Sequence, residues 1–210
     1  TFYPFSGHTD IPTDLYYAAL DGNWGGDGDG WFGEPYVNAT NPGDDVDMAP
    51  ELAVGRAPVR TTNMVAAFVD KILAYEAAPA SAAWTNRVLF ASEVLFPSPW
   101  DPGDPITLDG AQYSHNLIGN VLEPCSDLEP LRMYETDQLF PRDAQLDRAA
   151  FIDSLNTGHY GQVNQFGHGH FFNMSMGDAN FTVSDADALT NPNSFLLFAV
   201  NCASGAFDVS

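Results

Sequence analysis

The sequence is poor in basic residues. Lys71 is its only lysine, and the seven lysine and arginine residues together face 28 acidic residues, which gives a formal net charge of −21. Nucleic acids bind surfaces with clustered lysine and arginine, so no nucleic-acid partner is expected, and an anionic membrane surface is excluded for the same reason. An acidic chain of this kind suits a salty or calcium-containing extracellular medium, where cations screen the self-repulsion. The composition therefore favours export.

Long hydrophobic runs and cysteines are also scarce. No apolar run is longer than that of residues 195–200, which is far below the roughly 18 residues of a membrane span, so no membrane span is predicted. Two cysteines, Cys125 and Cys202, exclude a disulfide-dense scaffold. The first residues have neither an initiator methionine nor the pattern of a signal peptide. We expect that a leader has been removed or that the sequence is an excerpt.

Apolar material is plentiful, because hydrophobic residues make up 45% of the 210 residues. This length and composition predict one globular domain over residues 1–210. Apolar strand patterns alternate with helical patterns, and the first long helix begins at Thr61 or Thr62. Such alternation predicts a mostly parallel sheet with both faces covered. The predicted strands are residues 14–20, 88–91, 131–134, 161–166 and 195–200. We expect Tyr16, Tyr17 and Phe68 to lie in the core.

Reactive side chains follow two of these predicted strands. One strand runs into Gly167, His168 and Gly169, and the other runs into Asn201 and Cys202. Because adjacent parallel strands end side by side, His168 could act as the base for a Cys202 thiol. Gly169 has no side chain, so its N–H could approach a substrate carbonyl closely. The same residues also fit a structural cysteine beside a simple turn, and spacing alone leaves both interpretations open.

The order of these motifs resembles that of the gingipain-like cysteine peptidases, family C25 of the clan that includes caspases and legumains. The resemblance covers nearly the whole chain. It is carried by residues 13–17 with Asp21 and Gly22, residues 50–56, residues 71–76, residues 166–169, and residues 201–202 with 205–208.

The resemblance implies a caspase-like α/β fold, an αβα sandwich with a mostly parallel sheet. It also implies a secreted or cell-surface cysteine endopeptidase, of bacterial type, that cleaves a protein or peptide substrate through a thioester acyl-enzyme. His168 would be the catalytic histidine and Cys202 the nucleophile. The backbone N–H groups of Gly169 and Cys202 would form the oxyanion hole, and Glu93 would orient the histidine.

Two other functions stay open at this point. One is a catalytically inactive gingipain-like extracellular binding domain, and the other is a sortase-like transpeptidase in which an amine resolves the acyl-enzyme. The fold implied by the resemblance continues beyond the cysteine strand. We therefore expect that this chain lacks the C-terminal strands and that the remaining segment of the same precursor completes the sheet.

A second candidate site lies in the loop of residues 21–50, which is rich in glycine and aspartate. The loop offers hard oxygen ligands on a pliable backbone, as Ca²⁺ selects. The candidate ligands of a structural Ca²⁺ are Asp21, Asn23, Asp27, Asp29 and Glu34. A solvated loop without a metal is the alternative. We expect Asp44, Asp45 and Asp47 to face solvent.

Overall fold

The computed structural model describes residues 14–206, apart from residues 35, 37, 41, 47, 48, 80 and 126. The chain divides into two compact units. The first contains the residues up to Val65 together with those from Ala206 onward, and the second is Ala66–Gly205. Among the described residues, no helix combines the length and the apolar character needed to cross a membrane.

The described part of the first unit begins with a short helix, α1 (Leu15–Ala18), where the sequence predicts a strand. That prediction is wrong, because the Ala18 carbonyl accepts the backbone N–H groups of Glu51 and Leu52 and holds the turn in place. Tyr16 and Tyr17 are exposed, so their assignment to the core is also wrong. From Ala19 to residue 61 the described part of this unit consists of turns and loops.

Helix α2 (Thr62–Glu76) confirms the long helix predicted from apolar spacing. The Thr61 hydroxyl accepts the Met64 N–H at 3.3 Å, which satisfies one of the unpaired donors at the helix start. Near the other end, the Tyr75 hydroxyl donates to the Gly161 carbonyl at 3.1 Å. Phe68, expected in the core, is exposed.

The described part of the second unit contains three further α-helices, two short 3₁₀ helices (Ala83–Asn86 and Glu123–Cys125) and all of the described strands. The helices are α3 (Ala111–Leu117), which continues as a π-helical turn at Ile118–Leu122, α4 (Arg148–Thr157) and α5 (Val183–Asp187). The strands are β1 (Arg87–Ser92), β2 (Val94–Phe96), β3 (Leu108–Asp109), β4 (Glu129–Tyr134), β5 (Ala144–Gln145), β6 (Gln162–Phe166), β7 (Gly169–His170), β8 (Asn173–Ser175), β9 (Asn180–Thr182) and β10 (Leu196–Val200).

Five strands form the central sheet in the order β10-β6-β1-β4-β5, and every neighbouring pair is parallel. Side chains alternate between the two faces of each strand. Leu89 and Ala91 of β1 therefore pack with α4, through Phe151 among others, and Phe90 packs on the opposite face with α3 and the π-helical turn, through Ile118 among others. Helices thus cover both faces, which confirms the predicted α/β sandwich with a parallel sheet.

Short strands that the sequence does not predict lie beside this sheet. Strands β7, β8 and β9 form an antiparallel sheet immediately after His168, and β2 pairs antiparallel with β3. Helix α5 follows β9 directly and begins with a reciprocal capping box between Thr182 and Asp185. The segment between the two predicted reactive strand ends is therefore compactly folded.

Candidate active site

The register of β6 and β10 brings the two reactive strand ends to one edge of the sheet. Val200 lies opposite Phe166, and the Gly167 N–H donates to the Val200 carbonyl at 3.3 Å. His168 and Cys202 each lie two residues beyond this pair. The Cys202 thiol is free and exposed. A thiol and an imidazole thus follow neighbouring parallel strands.

The turn that carries Cys202 is tied to its surroundings by side-chain hydrogen bonds. The Asn201 amide donates to Oε1 of buried Gln165 at 2.9 Å, and Asn201 Oδ1 accepts the Ser204 N–H at 3.3 Å. The Ser204 hydroxyl donates to the Asn173 carbonyl at 3.0 Å. These bonds fix the backbone on both sides of the thiol. The sequence does not reveal the roles of Gln165 and Ser204, because neither residue is part of a recognisable motif.

Position 169 has no room for a side chain, because its backbone packs closely against this turn. A Cβ atom at position 169 would lie 2.6 Å from Cγ of Asn201 and 2.6 Å from Oγ of Ser204. The Ser175 N–H donates to the His168 carbonyl at 2.9 Å. Because hydrogen-bonded and non-bonded pairs alternate along an antiparallel ladder, the Gly169 N–H points away from β8. That N–H is therefore not taken up by the β7–β8 pairing.

Glu93 binds the main chain next to the histidine. Its buried carboxylate accepts the backbone N–H of His168 at 2.8 Å through Oε2. Oε1 accepts the Ser175 hydroxyl at 2.6 Å and the Gly177 N–H at 2.7 Å. The contact differs from the expected one with the imidazole ring. Glu93 holds the backbone that carries the ring.

The ring of His168 is held by a main-chain carbonyl. Its Nε2 lies 3.0 Å from the Leu95 oxygen, and the Phe96 ring packs edge-on against the imidazole. A carbonyl oxygen can only accept, so Nε2 carries the proton in this contact and Nδ1 of the neutral ring is an acceptor. This tautomer suits a base. A backbone carbonyl has no signature in the sequence, so Leu95 could not have been found there.

Two further carboxylates lie close to this strand end. Burial raises the pKa of Asp109; its Oδ1 accepts the Ala111 N–H at 2.9 Å, and its buried Oδ2 has no partner in the structure. Burial also raises the pKa of Glu135, and the negative charges of Glu93 and Asp109 add to that shift. The Val94 N–H, which donates to Glu135 at 2.8 Å, opposes it. The site is therefore bordered by partly desolvated acids.

The first unit brings together three of the five candidate metal ligands. One carboxylate oxygen from each of Asp27, Asp29 and Glu34 lies within 4.8 Å of the others. Asp21 is exposed and outside this group, and Oδ1 of Asn23 accepts the Gly25 N–H at 3.4 Å. Glu34 is only 3% exposed. Burial raises its pKa, and the charges of the neighbouring aspartates raise it further.

Asp44 organises the backbone of the same loop. The carboxylate accepts the N–H groups of Gly33 at 2.6 Å and Glu34 at 3.2 Å, and also that of Gly26. Its predicted solvent exposure is wrong, because these three donors bury it. Asp45 is exposed as expected, and Asp47 lies outside the described residues.

This geometry agrees with the comparisons to known proteins. The sequence model of Peptidase family C25 matches residues 2–210. Cysteine peptidases use a thiol and an imidazole, and this structure has both groups at one edge of a parallel sheet. The chain belongs to peptidase family C25.

The structure is also similar to the crystal structure of the Arg-specific cysteine proteinase gingipain R, with a TM-score of 0.53 and 20% sequence identity. The match covers 72% of this chain and 32% of that chain, so the matched region spans about a third of the length of gingipain R. The likeness confirms the gingipain-like fold. The search of curated proteins finds no match.

Replacing Glu93 by Gln should destabilise the second unit. Gln has only one acceptor oxygen for the three donors, and its NH₂ group must face at least one N–H or O–H. Hydrogen bonds to charged groups contribute roughly 1.5–3 kcal/mol each, so E93Q should lower the free energy of unfolding by about 2 kcal/mol in urea denaturation. The matched control is E129Q, at an exposed position of β4. Equal stability of E93Q and E129Q would show that the carboxylate charge is not needed.

Proposed function

We propose that the protein is a cysteine endopeptidase that hydrolyses peptide bonds through Cys202 and His168. The observation that carries the proposal is the register of β6 and β10, which puts an exposed thiol and an imidazole beyond the same pair of residues. Membership of peptidase family C25 supports it. The ordered turn and the hydrogen-bonded histidine favour a working site over a degenerate one.

In the proposed first step, Nδ1 of His168 takes the thiol proton of Cys202, and the thiolate attacks the carbonyl carbon of the substrate. Negative charge develops on the carbonyl oxygen. The backbone N–H groups of Gly169 and Cys202 are the proposed donors to it, and preorganised donors of this kind supply much of the rate enhancement of acyl transfer. Support for Gly169 comes from its N–H, which points away from the β8 partner.

The tetrahedral intermediate then collapses with loss of the amine. The C–N bond breaks, His168 returns the proton to the departing nitrogen, and Cys202 keeps the acyl group as a thioester. A water molecule, deprotonated by the same ring, attacks the thioester and releases a carboxylic acid and the thiol. In this scheme the Leu95 carbonyl and Glu93 are positioning groups, because they hold the ring and its backbone and touch no reacting atom.

We place this activity outside the cell. The support is the charge of −21 with a single lysine, since cations in an extracellular medium screen such self-repulsion. The proposed location is secretion or attachment to the cell surface. The substrate class is a protein or peptide.

Alanine substitutions should separate the two neighbouring histidines. His168→Ala removes the proposed base and should lower kcat/KM on peptide substrates of varied P1 residue by about 10²–10⁴. His170→Ala is the matched control, because His170 is exposed on β7 and its removal should leave kcat/KM near the wild-type value.

Cys202→Ala should abolish turnover without lowering the Tm, since the side chain is exposed. Full activity in either H168A or C202A would contradict the proposal.

A second pair of substitutions tests the oxyanion donor. Gly169→Ala forces a methyl group to within 2.6 Å of Asn201 and Ser204, which should displace the Cys202 turn. The G169A variant would keep the backbone N–H at this position, but displacement of the turn would misalign the proposed Cys202 N–H donor. Loss of one oxyanion donor lowers kcat by about 10²–10³, so a fall of about that size is expected for G169A. Gly205→Ala adds the same methyl in open space and should be silent. Similar kcat values for G169A and G205A would remove Gly169 from the mechanism.

We propose further that a remaining segment of the same precursor packs beside β10. The support is the exposure of this strand: Leu196 is 59% exposed and Phe198 58%. Within the described residues, β10 is the edge of the sheet and pairs only with β6. Exposed apolar edge strands attract a further strand. Gingipain R, which has the similar fold, is about three times as long as the region matched here.

Hydrogen exchange on the isolated 210-residue chain tests this second proposal. The amides of β10 should exchange faster than those of β1 by about tenfold or more, as expected for a region that opens locally at small free-energy cost. The chain should also self-associate through its apolar edge in light scattering. A monomer of 22.7 kDa that hydrolyses peptides and protects β10 as strongly as β1 would overturn it.

A further inference from the structure

Glu135 lies at the same edge of the sheet as the two reactive strand ends. It directly follows β4, just as Glu93 follows β1, and the last residues of these two strands, Ser92 and Tyr134, lie opposite each other. The Glu135 N–H donates to the Ser92 carbonyl at 2.9 Å. The side chain of Glu135 is half-buried, and no step of the proposed reaction uses it.

Two side chains fix the backbone of Glu135. Its carbonyl accepts a hydrogen bond from Arg142 at 2.9 Å and another from the Gln145 amide at 2.7 Å. Arg142 also donates to the Tyr134 carbonyl at 3.3 Å. None of these bonds involves the carboxylate of Glu135. The carboxylate is therefore presented from a fixed point of the chain.

The carboxylate of Glu135 binds the segment that holds the histidine ring. Its Oε2 accepts the N–H of buried Val94 at 2.8 Å. The carbonyl of the next residue, Leu95, lies 3.0 Å from Nε2 of His168. Two residues of backbone thus join the carboxylate to the ring.

Strand β2 does not fix this segment through its pairing with β3. The register of the two strands shifts between Val94 and Phe96, so Leu95 lies at an irregularity. A residue at such an irregularity is left without a partner in the ladder. The Val94 N–H and the Leu95 carbonyl bond instead to the side chains of Glu135 and His168. The position of the Leu95 carbonyl therefore depends on the carboxylate.

The charge of Glu135 also acts on the ring. Burial raises the pKa of Glu135, the Val94 N–H opposes this rise, and the negative charges of Glu93 and Asp109 add to it. Positive charge on His168 lowers the same pKa. Because such an interaction is reciprocal, the carboxylate stabilises the imidazolium that forms when the ring takes up a proton.

We propose that Glu135 is a positioning residue that fixes the tautomer of the His168 ring through the Leu95 carbonyl. The inference rests on the proposed function, in which this ring takes the thiol proton. With the carbonyl held in place, the neutral ring keeps its proton on Nε2, and Nδ1 remains the acceptor for the thiol proton. Glu93 has a different role, because it binds the backbone of the same histidine.

The tautomer of His168 gives a readout that needs no peptidase activity. The chain is labelled with ¹⁵N-histidine, and its ring nitrogens are observed by NMR at about pH 9, where histidine side chains are neutral. The signals of His168 are those lost in H168A. We expect Nε2–H in the wild type. In E135A the Val94 N–H loses its acceptor, and the ratio of Nε2–H to Nδ1–H should fall by about fivefold, the effect of one ordinary hydrogen bond.

The variant E135Q separates the hydrogen bond from the charge. Gln keeps an acceptor oxygen for the Val94 N–H, so E135Q should restore the wild-type ratio. The matched control is E129A, which removes an exposed carboxylate from the other end of β4 and should leave the ratio unchanged. The Tm of each variant shows that it is folded. If E135A is unfolded, E135D, whose carboxylate is one methylene shorter, replaces it.

Kinetics on peptide substrates give a second readout. E135A should lower kcat by about tenfold to a hundredfold, as misplacement of a reacting group does. KM should change little, because the carboxylate acts on the ring and not on the substrate. E135Q should recover most of the lost kcat.

The outcomes separate this proposal from the proposed function. An unchanged tautomer ratio in folded E135A, or an equal fall in E129A, would overturn the positioning role even if the chain is an active peptidase. Equal ratios in E135A and E135Q would also contradict it, since the Val94 N–H has an acceptor in only one of them. A wild-type chain that lacks peptidase activity while its ring still responds to E135A would reject the proposed function and leave the positioning role standing.

Discussion

The parallel pairing of β6 with β10 is the constraint on which the candidate active site depends. It aligns Phe166 with Val200 and so brings the residues after each strand to one edge of the sheet. A slip of one residue would turn every side chain of β10 to the opposite face and replace Cys202 by a neighbour. The contacts among Gln165, Asn201 and Ser204 act across this pair and hold the turn in the same register.

In this acidic chain, buried carboxylates bind backbone N–H groups instead of basic side chains. With few basic side chains to pair with, the buried acids accept backbone N–H groups instead: Glu93 binds those of His168 and Gly177, and Asp44 binds those of Gly33 and Glu34. Such charge-assisted bonds are stronger than bonds between neutral groups. Glu34 and Asp109 are exceptions, because each buries one carboxylate oxygen that has no such donor.

The sheet and its two reactive ends could be predicted from the sequence because strong local patterns encode them. The apolar runs of β1 and β10 are local signals, and so are the residues that follow the strands. The contact between Ser175 and Glu93 joins residues 82 positions apart, and no local pattern announces it. The ring of His168 is held by a main-chain carbonyl, which every residue possesses.

The errors have a physical cause as well. Two of the four residues of α1, Tyr16 and Tyr17, have side chains that favour strands, but the segment is helical and its Ala18 carbonyl accepts hydrogen bonds from Glu51 and Leu52. The strands β7 and β9 are two and three residues long, too short to show a period. Asp44 resembles any loop aspartate until the fold supplies its donors. In each case long-range contacts override a weak local preference.

Covalent labelling with peptidyl acyloxymethyl ketones tests the central claim most directly. These reagents alkylate a thiolate that is aligned with a bound peptide, so a set with varied P1 residues also reports specificity. We predict one label per chain, mapped by mass spectrometry to Cys202, with none on Cys125 and none in the H168A variant. If simple alkylating agents modify the exposed Cys202 while no peptidyl ketone does, Cys202 is an accessible thiol and not a catalytic one.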